Sequence, residues 1–171
     1  MPYRLTVWFF LLSLASFSCK ENKNRTNNYE SLQFDSNKIN IFKWDTSLSM
    51  FLKYSEALPL TNNDIKLTDS LLFNAVDTFN KTISKGLFET YNQQIPIDSF
   101  AIDLAKYKRQ YFPYIDNNGQ KVIQIICFSR PFPEWRIKIY DGRFDRGIAK
   151  FSLKVNLSEI KYHDFSIGGF G

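Results

Sequence analysis

One histidine, His163, and two cysteines, Cys19 and Cys127, are all that the 171 residues hold of those types. A Ser-His-Asp or Cys-His device would therefore have to use His163, with Cys127 as the thiol if Cys19 is otherwise engaged. Cys127 sits in a run that is apolar on both faces, where a small buried hydrophobe is the plain reading. The same scarcity excludes a disulfide framework within the chain and a structural zinc site of four Cys or His ligands. Glycine is sparse as well, at 7 residues, and Gly168-Gly169 has no helix behind it to complete a phosphate loop. Asp141-Gly142-Arg143-Phe144-Asp145 has too few alternating acids for a calcium loop, and Arg143 and Arg146 would oppose a cation. Nothing singles out a carboxylate pair for glycoside hydrolysis. The reading is of a chain without a catalytic set, a metal or a cofactor.

Long apolar runs are missing too. The run at residues 5–15 falls short of the roughly 20 residues that a spanning helix needs. Arg4 precedes it and the small residues Ser16 and Ser18 follow it, which is the layout of a secretory signal. Leu14-Ala15-Ser16-Phe17-Ser18-Cys19 resembles a bacterial lipoprotein signal in a looser form. Ser16 and Phe17 stand where the strict form has Leu and a small residue. The resemblance implies removal of residues 1–18 and lipidation of Cys19. It places the chain in the bacterial cell envelope, anchored to a membrane on the periplasmic or the exposed side. The alternative is an ordinary secretory signal with a coincidental cysteine. Each acyl methylene buried in a membrane contributes about 0.8 kcal/mol, so several chains on one residue anchor stably. Residues 19–40 are polar and suit a flexible tether, which leaves 41–171 as one domain.

What is present is aromatic and apolar residue in alternation. Phe occurs 17 times and hydrophobic residues make up 44 % of the chain, enough for a packed core. Ile39, Ile41, Phe42 and Trp44 form a strand or strap. Residues 69–85 read as a helix: Thr68 is the cap, Asp69 faces the helix dipole, and Leu67 and Leu72 form a staple. Leu72, Ala75, Val76, Phe79 and Ile83 make one stripe, and Gly86 closes the end. Residues 97–105 fit a short helix or a strand equally.

Five strands are expected after that, at 107–114, 121–128, 135–140, 151–157 and 162–167. Asp116-Asn117-Asn118-Gly119 supplies hairpin chemistry between the first two. The second strand, apolar on both faces, should be central. Short connections favour antiparallel pairing. The expectation is an α+β domain, one main helix packed on a four- to five-stranded antiparallel meander, similar to cystatin-like folds in outline only.

Asp103 to Tyr111, Asn118 to Val122, Ile126-Cys127-Phe128, Trp135-Arg136, Asp141-Gly142, Phe151 to Leu157 and Lys161-Tyr162-His163-Asp164 together resemble small uncharacterised lipoproteins of Bacteroidetes. The likeness covers about residues 103–169. This chain departs from the pattern at Ser129, where a second Cys is expected, and at Gly168-Gly169, where Asn-Gly is. The resemblance implies a location and little mechanism.

The formal charge is +5, and it is unevenly spread. Residues 20–105 hold 9 Lys/Arg against 11 Asp/Glu, whereas residues 106–150 hold 10 against 4. Lys108 and Gln110 could share one side of the sheet with Arg136, Lys138 and Tyr140, leaving Tyr107, Arg109 and Tyr111 on the other. Basic groups beside aromatic rings suit an acidic polysaccharide, lipid head groups or an acidic protein. Nucleic acid fits the same chemistry, but an exported protein rarely meets it. A solvated strand face is the bland reading of the same residues. The leading expectation is a membrane-anchored, non-catalytic binding or accessory domain. The alternatives are an inhibitor or immunity-type protein against a hydrolase or toxin and, more weakly, an enzyme.

Overall fold

The computed structural model describes residues 35, 37–43, 56–91, 100–142 and 147–168. The signal, Cys19, most of the tether and Trp44 lie outside those residues. One long helix, α1 (Asn62–Tyr91), packs on a mixed sheet. The strands are β1 (Ile39–Ile41), β2 (Glu56–Ala57), β3 (Lys108–Ile115), β4 (Lys121–Phe128), β5 (Lys150–Asn156) and β6 (Lys161–Ile167). Their order is β1-β3-β4-β5-β6, with β2 paired to the far end of β3. From β3 to β6 the strands form an antiparallel meander, and β4 is central as expected. β1 pairs with β3 in parallel. That direction follows from α1, which lies between the two strands in sequence and supplies the crossover that parallel pairing needs.

The helix starts earlier and ends later than its apolar stripe. Thr61 and Asp64 form the capping pair: the Asp64 amide donates to Thr61 Oγ1 at 3.2 Å, and the Thr61 amide donates back to Asp64 Oδ2 at 2.9 Å. Thr68, expected as the cap, is buried inside the helix and bonds the Asp64 carbonyl at 2.7 Å. Gly86 does not end the helix, which continues to Tyr91. Of the stripe, Leu72, Ala75, Val76 and Phe79 are all buried against the sheet, and the Ile83 side chain lies outside what is described.

Of residues 97–105, those from 100 on are described: Phe100 lies in a 3-10 piece and no strand forms there. Asn80 of α1 holds this stretch at both backbone groups of Ile102, accepting from its amide at 2.7 Å and donating to its carbonyl at 2.9 Å. A further 3-10 turn, Leu104–Lys106, then leads into β3. Pro113 sits within β3 without breaking the sheet. Arg109 donates to Lys38 and Tyr111 accepts from Phe42 on the β1 side. By the same alternation the missing Pro113 amide falls on that side, between the stretches paired with β1 and β2, where no strand among the described residues needs it.

The expected strand at residues 135–140 does not form. Pro131 and Pro133 begin a turn, closed by bonds from the Ile137 and Lys138 amides to the Glu134 carbonyl at 2.9 Å each. Alternation of Trp135, Ile137 and Ile139 imitates a strand, yet Ile137 is 76 % exposed. The meander has four strands, and β1 takes the fifth place in the sheet.

The face under α1 is a closed core. Ile123, Ile125, Cys127, Leu153 and Val155 are fully buried there, with Tyr107, Tyr111 and Phe151. An extra residue in β6 keeps that face apolar. Ser152 pairs with Ser166 and Lys154 with His163, so two residues of β6 oppose Leu153. The bulge changes the inward set from Tyr162 to Phe165 and Ile167. It lets Phe165 stack on Phe79 and Phe151 at ring separations of 5.3 and 5.5 Å.

Candidate functional site

On the face away from α1, pairing register lines up side chains in rows across the strands. Lys108 lies beside Phe128 and Lys150, and the next row is Gln110, Ile126 and Ser152. Phe112, Gln124, Lys154 and His163 follow, then Tyr114, Val122, Asn156 and Lys161. A loop covers the first two rows; in the last two Phe112, Tyr114, Val122 and Asn156 are buried as well, Phe112 under the Phe42 ring, while Lys154, Lys161 and His163 border a cleft.

The cover is the 129–142 loop, and buried Gln110 fixes it. Gln110 Nε2 donates to the carbonyls of Trp135 at 2.6 Å and Lys138 at 2.7 Å, while its Oε1 accepts from the Tyr140 amide at 2.8 Å. Phe128, Phe132 and Tyr140 pack as a ring cluster, with Phe128 and Tyr140 stacked at 4.1 Å. Tyr140 is therefore 8 % exposed and supports the surface from beneath. Lys108 and Arg136 both lie against the Trp135 ring, at 4.9 and 4.4 Å from its centre. Lys138 reaches Glu134 at 2.9 Å. The structure thus brings Lys108, Arg136 and Lys138 to one end of the molecule, though through a turn and not a strand. Arg109 points the other way, into the core, 3.5 Å from Asp69.

That cleft, polar and about 590 Å³ in volume, lies at the other end of the same face. Tyr114 and Val122 floor it, and Lys154, Asn156, Lys161 and His163 line the β5–β6 side. The β3–β4 hairpin adds Asn117, Asn118 and Gln120. Asp116 is spent on that hairpin: its Oδ1 accepts from the Asn118 and Gln120 amides at 2.9 and 2.8 Å. Asn156 donates to Gln120 at 2.7 Å, Gln120 donates to Glu159 at 2.8 Å, and Glu159 pairs with Lys161. Asp164 is the bulge residue, and its carboxylate reaches Lys154 at 2.8 Å and His163 Nδ1 at 3.3 Å.

Those bonds hold Glu159 below the usual carboxylate range, through Lys161 first and Gln120 second. Lys154 and His163 do the same for Asp164. Burial pushes the Tyr114 hydroxyl up to about 12, so it is a neutral donor at physiological pH. His163 and Cys127 are not brought together. The thiol is fully buried on the α1 face and is pushed up by burial, while His163 lines the cleft on the opposite face.

Sequence reasoning missed this cleft. Its residues are scattered between 114 and 163, and only strand register makes neighbours of them. The Asn-rich hairpin and the His163-Asp164 pair are the signals that were available. No protein-family model, no curated protein and no solved structure matches this chain.

Proposed function

We propose that the chain is a lipid-anchored, non-catalytic binding domain of the bacterial cell envelope. Cys19 is the attachment point, and the basic end of the sheet receives an acidic polysaccharide or an acidic protein surface. The observation that carries this reading is the placement of Lys108 and Arg136 against the buried Trp135 ring. Two cations from separate elements converge on a ring that the Gln110 clamp holds still. Cations ordered in advance lose less side-chain entropy when an anion binds. Ile137, exposed between Arg136 and Lys138, offers apolar contact in the same patch. The separation of Cys127 from His163 supports a binding role over a thiol-based one.

Polygalacturonate at low salt is a suitable acidic probe. The Lys108→Glu/Arg136→Glu double variant should bind it at least tenfold more weakly, and added salt should weaken the wild-type protein in the same direction. Equal binding by variant and wild type would remove this surface from the proposal. The anchor is tested separately. Cys19→Ala should move the protein out of the membrane fraction, and retention there would sink the lipid attachment.

A further inference from the structure

The polar cleft at the opposite end of the sheet face has no part in that reading. We propose that it is a second binding site and that it takes an uncharged oligosaccharide. The argument begins with charge. Lys161 is paired with Glu159, Lys154 with Asp164, and Asp116 is occupied by two hairpin amides. An anionic ligand would have to displace a carboxylate from its lysine, and a cationic one would have to do the reverse or compete with the hairpin amides for Asp116. A ligand with many neutral hydroxyls displaces neither.

The remaining groups suit such a ligand. Side-chain amides both donate and accept, as sugar hydroxyls do: exposed Asn117 and Asn118 line the cleft, and Gln120 and Asn156, bonded to each other and to Glu159, hold its wall in place. Tyr114 adds a hydroxyl that burial keeps protonated, and Val122 gives an apolar patch of floor for a sugar's carbon face. The cleft is polar and open to solvent, unlike the enclosed apolar pockets that hold most small cofactors.

Backbone strain points to the same place. Among the described residues the non-glycine positions with left-handed φ are Ile160 at 51° and Asp164 at 55°. Ile160 closes the turn that carries Glu159, and Asp164 is the bulge that supports Lys154 and His163. Conformations of this kind are unfavourable for non-glycine residues and cluster at binding sites, where neighbouring structure holds them. Ile160 is also β-branched and exposed, so neither intrinsic preference nor core packing accounts for it. Glu159 and Asp164 are held ionised by their cations, which suits them to accept hydrogen bonds and not to protonate a leaving group. The cleft is built to hold a glycan, and cleavage would need a carboxylic acid of raised pKa that these two are not.

Saturation-transfer NMR on the full chain in detergent micelles tests the proposal, with cellotetraose, maltotetraose and tri-N-acetylchitotriose as neutral probes and tetragalacturonate as the anionic one. At least one neutral probe should receive saturation at about 10 mM or below, a range in which weak glycan contacts are measurable. Gln120→Ala, which removes one half-buried amide together with its bonds to Asn156 and Glu159, should weaken that probe about tenfold. Lys161→Ala should weaken it too, and Arg136→Glu at the other end should leave it unchanged. The proposal fails if no neutral probe receives saturation. It fails equally if tetragalacturonate outcompetes the neutral probes in the Lys108→Glu/Arg136→Glu background, or if Gln120→Ala and Lys161→Ala both bind as the wild type does.

Discussion

The face of the sheet under α1 and the face away from it handle polar groups in opposite ways. Under α1 the charged and hydroxyl groups are drawn inside and bonded to one another. Tyr111 donates to Asp69, and the Arg109 guanidinium stands 3.5 Å from the same carboxylate, all three joining helix to sheet. On the far face Gln110 and Asn156 are buried as well, but the charged groups, Lys108, Lys154, Lys161 and Asp164 among them, stay partly or fully at the surface. One half is hidden by a loop that needs a buried glutamine to hold it, and the other half is left open. A stable domain requires only the first arrangement. The second leaves polar surface, exposed apolar groups and strained backbone in reach of a partner.

The largest expected effect lies on the closed side. Asp69→Ala leaves Arg109 buried with its charge unpaired, and should cost about 3–5 kcal/mol in urea unfolding. Arg109 Nε already lacks a hydrogen-bond partner, so little can compensate. Replacing both residues by apolar ones, as Asp69→Leu/Arg109→Met, should recover most of that loss. If the double variant is no better than Asp69→Ala, the ion pair holds the helix in a way that apolar packing cannot.

On the covered half of the far face the corresponding test is Gln110→Ala. It orphans the Trp135 and Lys138 carbonyls and the Tyr140 amide together, although water can reach the loop once it loosens. The expected loss is about 2–3 kcal/mol. Amide hydrogen exchange locates it: Tyr140 and Ile137 should exchange faster while β4 keeps its protection. Uniform acceleration across β4 would mean that the loop belongs to the main cooperative unit.

The contrast between the faces also explains what the sequence could and could not tell. The closed face is written in local periodicity. The α1 stripe, the alternation in β5 and the two-sided run of β4 each carry their burial within a few residues. Reading failed where the burial partner was remote. Trp135-Arg136-Ile137-Lys138 has strand alternation, but Gln110, some 25 residues earlier, turns it into a clamped loop. The helix start was misplaced because Thr61 and Asp64 cap a first turn that carries little apolar signal. Lys108, Arg136 and Lys138 were found as a group because they lie near one strand end. The cleft was not found, since it depends on the β4–β5–β6 register and on a bulge that no pattern announces.

A smaller effect of opposite sign is expected at the open end. Asn adopts left-handed φ more readily than a β-branched residue, so Ile160→Asn should stabilise the domain by about 1 kcal/mol. Thermal or urea unfolding reads the gain. If the strained turn serves the cleft, saturation of the neutral oligosaccharide should fall in the same variant. A gain in stability with unchanged binding would make the strain incidental.

The smallest effect sets the two faces against each other through pH. Burial raises the Asp69 carboxyl above its ordinary value, against the pull of Tyr111 and Arg109. A raised folded pKa means that Asp69 contributes stability fully below its unfolded value, about 3.9, and loses it as pH rises through the folded value. Asp164 is lowered, so its contribution is present above about 3.9 and is lost as pH falls through its folded value. The windows lie on either side of the unfolded pKa. Asp164 is more than half exposed, so solvent screening keeps its share to about 0.5 kcal/mol or less. Stability measured from pH 2 to 7 should show Asp164→Asn flattening the decline at the acid end. Asp69→Asn should instead remove a rise that runs from neutral pH down to about 4. If both variants change the same pH window, the two carboxylates share one electrostatic environment, and the sheet does not insulate one face from the other.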